Sequence, residues 1–260
     1  MKQISFCTTC KNRFHQISKT LPANLEDNRR HKDRVEFVVV DFGSIDGLGE
    51  WLLANFRQEL DDGYLRYYFT DKMVNWHASV AKNTAHYYAC GEFLVNLDGD
   101  NFTGRNGGAY VINQFSKYGN KLLLHQYNGM PGQGTFGRIG MHRQFFHIIG
   151  GYDESFEPMG CQDVDLIRRL YEFGLTYRCF THPKYLRSIP NTKQESIKYC
   201  GSSLPWVEME RRNERRSRAN IYAGDLIVNH GSFGYRRDVF TYSNGKMVRL
   251  AGIQDSLIQD

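Results

Sequence analysis

Residues 35–44 read VEFVVVDFGS. A continuous run of β-branched and aromatic residues, without polar alternation, marks a strand covered on both faces, as at the centre of a parallel sheet. Asp41 closes the run and a Gly-Ser turn follows. In open parallel sheets ligands collect at the carboxyl ends of the strands, so an acidic residue there faces a ligand crevice.

The neighbouring segments extend this pattern in both directions. QISFCTTC (3–10) reads as a short strand, followed by a polar, helix-like stretch from Arg13 towards Asn28 that Pro22 is expected to bend or interrupt. DGLGEWLLANFRQEL (46–60) carries apolar residues at helical spacing. YLRYYFT (64–70) reads as a strand, NWHASVAKNTAHYYAC (75–90) as a helix and EFLVNLDGD (92–100) as a fourth strand. Strand and helix in alternation predict a parallel sheet covered by helices.

The second half is less regular. KLLLHQY (121–127), FGRIGMHRQ (136–144) and LTYRCF (175–180) read as strands. QDVDLIRRLYEFG (162–174) has helical apolar spacing with Gly174 as its stop. LPWVEMERRNERRSRAN (204–220) reads as a basic helix, and VFTYSNGKMVRL (239–250) as a hairpin turning at Asn244-Gly245. With no repeat or linker, one domain over 1–260 is expected, with a nucleotide-binding half over about 1–104 and an acceptor half over about 105–260.

Hydrophobic residues make up 41% and charged residues 23%, the balance of a soluble globular chain. The 33 Lys and Arg against 28 Asp and Glu give +5, which favours phosphorylated ligands but is too mild for a nucleic-acid binder. No apolar run approaches the ~18–20 residues of a membrane span, and the start is unlike a signal peptide. A cytoplasmic protein is expected, with contact at a membrane surface left open. Cys7 and Cys10 form a C-x-x-C without the second pair that a structural zinc site needs, so the six cysteines read as free thiols.

Asp98 and Asp100 end the fourth strand with Gly99 between them. An isolated D-G-D reads first as a turn. At the carboxyl edge of a central strand, with Asp41 ending another, the pair suits a hard divalent cation, Mg²⁺ or Mn²⁺, that can bridge to a substrate diphosphate. Gly99 is expected to allow the tight bend.

At these residues the chain resembles a known family. FVVVDFGSIDG, AKNTA (81–85) and NLDGDNF resemble three motifs of family 2 glycosyltransferases, which have the GT-A fold. GRIGMHRQFFHIIGGYDESFEPMGCQDVDLIRRL (137–170) resembles the acceptor-side block shared with β-1,4-galactosyltransferase-like enzymes. The resemblance spans roughly residues 3–175 with the motifs in the expected order.

It implies an α/β fold of GT-A type, with a mostly parallel central sheet flanked by helices. It also implies transfer of a sugar from a UDP-sugar donor to a carbohydrate or other hydroxyl acceptor, with inversion. Cys7, Thr8, Asn12 and Arg13 would meet the nucleotide and its phosphates, Asp41 the base or ribose with Ser44 beside it, and Asn83 the nucleotide-sugar side. Asp98 would bind ribose or a sugar hydroxyl, Asp100 the metal, and Asp163 would be the general base. Gln162 and Asp165 are assigned to the acceptor. His230 is the further metal ligand, with His182 its competitor. The chain departs from the block in having Gln162 where the family has Glu and Met159 where it has Trp.

Asp163 also reads as a plain helix cap, since its apolar-periodic helix begins there. Arg211, Arg212, Arg215, Arg216 and Arg218 interleave with Glu210 and Glu214 and read as a solvated face with local ion pairs. Arg215 or Arg218 reaching a diphosphate is the sharper alternative. Trp76, Tyr127 and Trp206 are candidates for sugar stacking. Two other functions compete. A sugar-phosphate nucleotidyltransferase would carry an N-terminal glycine-rich loop, absent from ISFCTTCKNR. A non-catalytic nucleotide-sugar-binding protein is kept open by Gln162 and Met159.

Overall fold

The computed structural model describes residues 2–127, 129 and 134–250. In chain order, β1 (Ile4–Cys10), α1 (Phe14–Asn28), β2 (Val35–Asp41), α2 (Leu48–Asn55), α3 (Arg57–Asp61), β3 (Leu65–Phe69), α4 (Ala78–Tyr88) and β4 (Phe93–Asn96) build the first half. There follow β5 (Asn101–Phe102), α5 (Gly107–Tyr118), β6 (Leu122–His125), β7 (Ile139–His142), α6 (Arg143–Ile148), α7 (Gln162–Glu172) and β8 (Thr176–Cys179). The last elements are β9 (Arg187–Ser188), α8 (Lys193–Ile197), α9 (Trp206–Ala223), β10 (Phe240–Ser243) and β11 (Lys246–Arg249).

A nine-stranded sheet runs β11-β10-β3-β2-β1-β4-β7-β6-β8. The central ladders β3-β2, β2-β1 and β1-β4 are parallel, as the alternation predicts. β7 enters antiparallel to both β4 and β6, and β10 antiparallel to β3, so the flanks are mixed. The fold is the α/β class expected, with a parallel heart between mixed flanks.

All seven residues of β2 are buried because helices cover both faces. Phe37 and Val39 join Phe6, Leu21, Leu25, Val111 and Phe115 on the face of α1 and α5. Val38 and Val40 join Ala81, Ala85, Phe146 and Leu166 on the face of α4, α6 and α7. Each fully buried large apolar side chain contributes about 1.5–3 kcal/mol. Small residues at 81 and 85 let α4 lie close to the sheet.

The helix α1 continues through Pro22, contrary to the interruption expected. Burial of Ile17, Leu21 and Leu25 on one face holds the helix together despite the missing amide donor. Asn244 and Gly245 are both left-handed, at φ 51° and 83°, the backbone of a primed hairpin turn. Gly174, at φ 102°, follows α7 as expected. Among the described residues no helix is long and apolar enough to cross a membrane.

Candidate active site

The carboxyl ends of β1, β2 and β4 face one crevice. At the end of β4, Asn96 Nδ2 donates to Asp98 Oδ1 (3.0 Å) and to the Gly137 carbonyl (2.8 Å). Thr8 Oγ1 donates to the Leu97 carbonyl and Thr20 Oγ1 to the Gly99 carbonyl, fastening the turn from two sides. Gly99 is not left-handed, and a Cβ there would meet only ordinary contacts. The bend therefore does not rest on glycine, contrary to expectation.

Asp100 is 9% exposed, and its Oδ1 accepts from Asn101 Nδ2 at 2.6 Å. Burial and the neighbouring Asp98 push its carboxyl up to about 6, against the Asn101 bond and the charge of Arg13, which lower it. A buried carboxylate raised in this way is relieved by a cation. Among the described residues no group of three or more His, Cys, Asp or Glu side chains is placed to share an ion. Two carboxylates on one turn fit a Mg²⁺ or Mn²⁺ that substrate phosphates complete, and do not fit a closed protein cage.

Opposite this turn, α7 delivers Asp163. Gly160 (φ 94°) and Cys161 (φ 64°) are both left-handed and swing the chain into the helix. Asn213 of α9 pins that loop, donating to the carbonyls of Glu157, Met159 and Gly160 and accepting from the Glu157 amide. Asp163 sits in the first turn of α7, where the helix dipole favours an anion.

Lys82 of α4 joins the two sides. Its Nζ lies 2.7 Å from Asp163 Oδ1 and 3.5 Å from Asp98 Oδ1. Burial pulls this ammonium towards neutrality, but Asp163 and Asp98 outweigh it and hold the group above its ordinary value. The Tyr152 ring lies beneath it, with the nitrogen 5.4 Å from the ring centre. Gly137 covers the group: a Cβ there would stand 2.6 Å from Asp98 Oδ2, 3.1 Å from Lys82 Nζ and 3.3 Å from Asp163 Oδ2.

The first loop forms the third wall. Asn12 is left-handed; its amide donates to Ser44 Oγ and its Oδ1 accepts from the Ile45 amide. Arg13 Nη1 donates to Asn191 Oδ1 at 3.1 Å. A cavity of about 560 Å³ opens beside this loop, lined by Asn12, Phe14, Ile45, Asp46 and Tyr199 among others. A wider groove of about 630 Å³, lined by Lys32, Arg57, Gln58, Asp61 and Asp62, lies by the amino ends of β2 and β3, away from the carboxylates. Residues 187–200 run along the crevice. The Ile189 amide donates to the Asp100 carbonyl, Asn191 meets Arg13, and the Tyr199 carbonyl accepts from the Trp76 amide.

The structure thus brings Thr8, Asn12, Arg13, Ser44, Asp98, Asp100 and Asp163 to one crevice, and corrects several expectations. Asn83 is fully buried. Its Nδ2 donates to the Tyr152 carbonyl and Glu154 Oε1 and its Oδ1 accepts from the Tyr152 amide, so it braces the 152–154 loop rather than a nucleotide-sugar. Asp165 is likewise fully buried, 2.7 Å from Arg169 Nε, and cannot reach an acceptor. His230 is exposed on the loop after Val228, in a left-handed conformation (φ 43°). Asp41 is 1% exposed; Oδ1 accepts from the Ser44 amide and Oδ2 from Tyr67 Oη, which makes it the organiser of the Ser44 turn. Gln162 is 8% exposed at the start of α7, with Oε1 buried and without a hydrogen-bond partner among the described residues.

The basic helix behaves as a solvated face: Arg211 and Arg212 pair with Glu208, and Arg218 with Glu214. Trp76 packs edge-on against Phe42, Tyr127 stacks on His125, and the Lys193 ammonium covers the Trp206 ring. Two residues escaped the sequence reading. Lys82 stands at the basic position of the AKNTA motif, a signal that was in view. Arg138 is fully buried, donating from Nη1 to the Tyr185 carbonyl and from Nη2 to Asn101 Oδ1, and burial lowers its guanidinium to about 10 despite Asp98 and Asp100. A lone arginine before a strand carries no such signal.

No family model matches the chain, and no curated protein matches it. Its fold is similar to solved structures. S. aureus TarS 1-349 superposes with a TM-score of 0.59 at 14% identity, over 84% of this chain and 72% of that one. A TarS 1-349 structure in complex with UDP gives 0.59 at 13%, over 85% and 72%. The mannosyltransferase PcManGT from Pyrobaculum calidifontis, in complex with GDP-Man and Mn²⁺, gives 0.56 at 16%, over 86% and 72%. At these identities the likeness shows the fold.

Proposed function

We propose that this chain is a glycosyltransferase of GT-A type that moves a sugar from a UDP-sugar to a hydroxyl acceptor, with inversion and with a divalent cation. The observation that carries the reading is the meeting of the Asp98–Asp100 turn and Asp163 at one point, from opposite walls of a crevice at the carboxyl edge of a parallel sheet. Fold neighbours solved with UDP and with GDP-Man and Mn²⁺ support it.

Asp100, with Asp98 beside it, would hold Mn²⁺ or Mg²⁺. When bound, the ion neutralises the leaving diphosphate as a Lewis acid. Arg13, close enough to act on the Asp100 carboxyl, adds a second positive charge for that diphosphate. Thr8, Asn12 and Ser44 shape the loop beside the cavity, which takes the nucleoside. Asp98, one-third exposed in its side chain, meets a sugar hydroxyl. Asp163 has Oδ1 fixed by Lys82, and Oδ2 takes the proton of the acceptor hydroxyl as that oxygen attacks the anomeric carbon. Attack from the side opposite the diphosphate inverts the centre. Gln162, buried at the same helix start, is the group beside the acceptor.

The test is release of UDP from a panel of UDP-sugars with Mn²⁺. Asp100→Ala and Asp163→Ala should each cost at least about a hundredfold in kcat/KM. If both variants transfer sugar like the native chain, the assignment fails. Gln162 and Met159, the two departures from the acceptor block, favour a second reading as a non-catalytic nucleotide-sugar binder. Calorimetric binding of UDP with Mn²⁺, without UDP release from any donor, would select it.

A further inference from the structure

A lysine 6% exposed stays charged only where carboxylates compensate its lost hydration. Lys82 has two, and they come from different parts of the chain. A continuous path runs from the Gly137 carbonyl to Asn96 Nδ2, from Asn96 to Asp98 Oδ1, from Asp98 to Lys82 Nζ, and from Lys82 to Asp163 Oδ1. The ammonium has little freedom. Ala81 and Ala85 seat α4 against the sheet, the Tyr152 ring lies under the nitrogen, and Gly137 closes the space above. The ammonium therefore donates a hydrogen bond to the acceptor-side carboxylate of Asp163 and forms an ion pair with the donor-side carboxylate of Asp98.

We infer that Lys82 is a positioning residue that makes Asp98 and Asp163 one coupled unit, setting the base relative to the bound donor. The inference rests on the glycosyl-transfer reading for its meaning, though the coupling itself does not. Removing the ammonium leaves the Asp98 and Asp163 carboxylates without the positive charge between them, and like charges repel. Asp163 then leaves the position from which Oδ2 meets the acceptor hydroxyl. The nucleotide, held by the first loop and Asp100, is little affected. Arginine keeps the charge but carries a wider, planar head and restores the tie only in part.

The full chain and the variants Lys82→Met, Lys82→Arg, Asp163→Asn and Lys82→Met/Asp163→Asn decide the matter with three readouts. Lys82→Met should lower kcat for UDP release from UDP-GlcNAc or UDP-glucose by at least about a hundredfold, with Lys82→Arg recovering at least about tenfold. Affinity for UDP with Mn²⁺ should stay within about threefold, a split that mere loss of folded protein does not produce. In denaturant unfolding, Lys82→Met and Asp163→Asn should be non-additive by at least about tenfold in the unfolding constant. Additive unfolding effects, or native turnover in Lys82→Met, overturn the inference. If the native chain releases no UDP from either sugar, the transfer reading is the one in trouble. The unfolding cycle then still decides the tie, non-additivity upholding it and additivity ending it. Should Lys82→Met not fold, Lys82→Arg takes its place in the cycle, with additivity again the contrary result.

Discussion

Burial of Asp100 weakens the fold once its carboxyl is ionised. Its carboxyl is raised from an ordinary 3.8 to about 6, so the native chain holds more protons than the unfolded chain between those values. Stability therefore falls as pH rises through that window. Above it the ionised group costs up to about 3 kcal/mol, at about 1.4 kcal/mol for each pH unit of the window. Asp100→Asn should recover much of this at pH 8 in the presence of a chelator, measured by urea unfolding, while abolishing UDP release; an unchanged midpoint would contradict the cost of burying the charge. His86 works in the other direction. Fully buried against Phe146, it is lowered from 6.5 to about 3 by burial. Its native pKa lies below the unfolded one, so stability is lost as pH falls below 6.5, at about 1.4 kcal/mol per pH unit from this group. His86→Gln should flatten the unfolding curve between pH 6 and 4. The place of Asp98 and Asp100 at the end of a central strand was legible because spacing and strand order are linear properties, whereas Asp163 was singled out by the resemblance of residues 137–170. The burial that removes Asn83 and Asp165 from the crevice is a property of packing, and no residue type announces it.

At the scale of elements, the loop into α7 depends on a helix far along the chain. Asn213 is 2% exposed and satisfies three carbonyls of residues 157–160. Asn213→Leu leaves them buried without donors and should cost about 2–3 kcal/mol or more. Because the same loop aims Asp163, turnover should fall further than stability at a temperature where the variant is fully folded. Gly137→Ala is the local counterpart. Its Cβ has nowhere to go but into the Asp98 carboxylate, so UDP release should drop at least about tenfold with a modest change in melting temperature. The helix α7 and the β10–β11 hairpin were readable from apolar period and from Asn244-Gly245. The two-residue strands β5 and β9 were not, since their pairing at Asn101–Ser188 and Phe102–Arg187 has no length over which a pattern could repeat.

For the whole molecule, the parallel heart followed from alternation of strand and helix, but the order of the flanks did not. Nothing local tells β7 to enter between β4 and β6, or the C-terminal hairpin to extend the sheet at β3; those choices follow from which edges remain open once the heart is built. The same long-range economy places residues 187–200 across the crevice, touching Asp100, Arg13 and Trp76 while leaving Arg187, Lys193 and Lys198 exposed. Those three side chains are trypsin targets. Cleavage needs the segment to open, and an occupied crevice resists opening by its binding free energy. Trypsin digestion should therefore slow about tenfold at these bonds with UDP and Mn²⁺ at ten times Kd, and an unchanged digestion pattern would mean that the nucleotide sits clear of the segment. The peptide map of a digest then reports occupancy of the crevice without an acceptor, a product assay or a label.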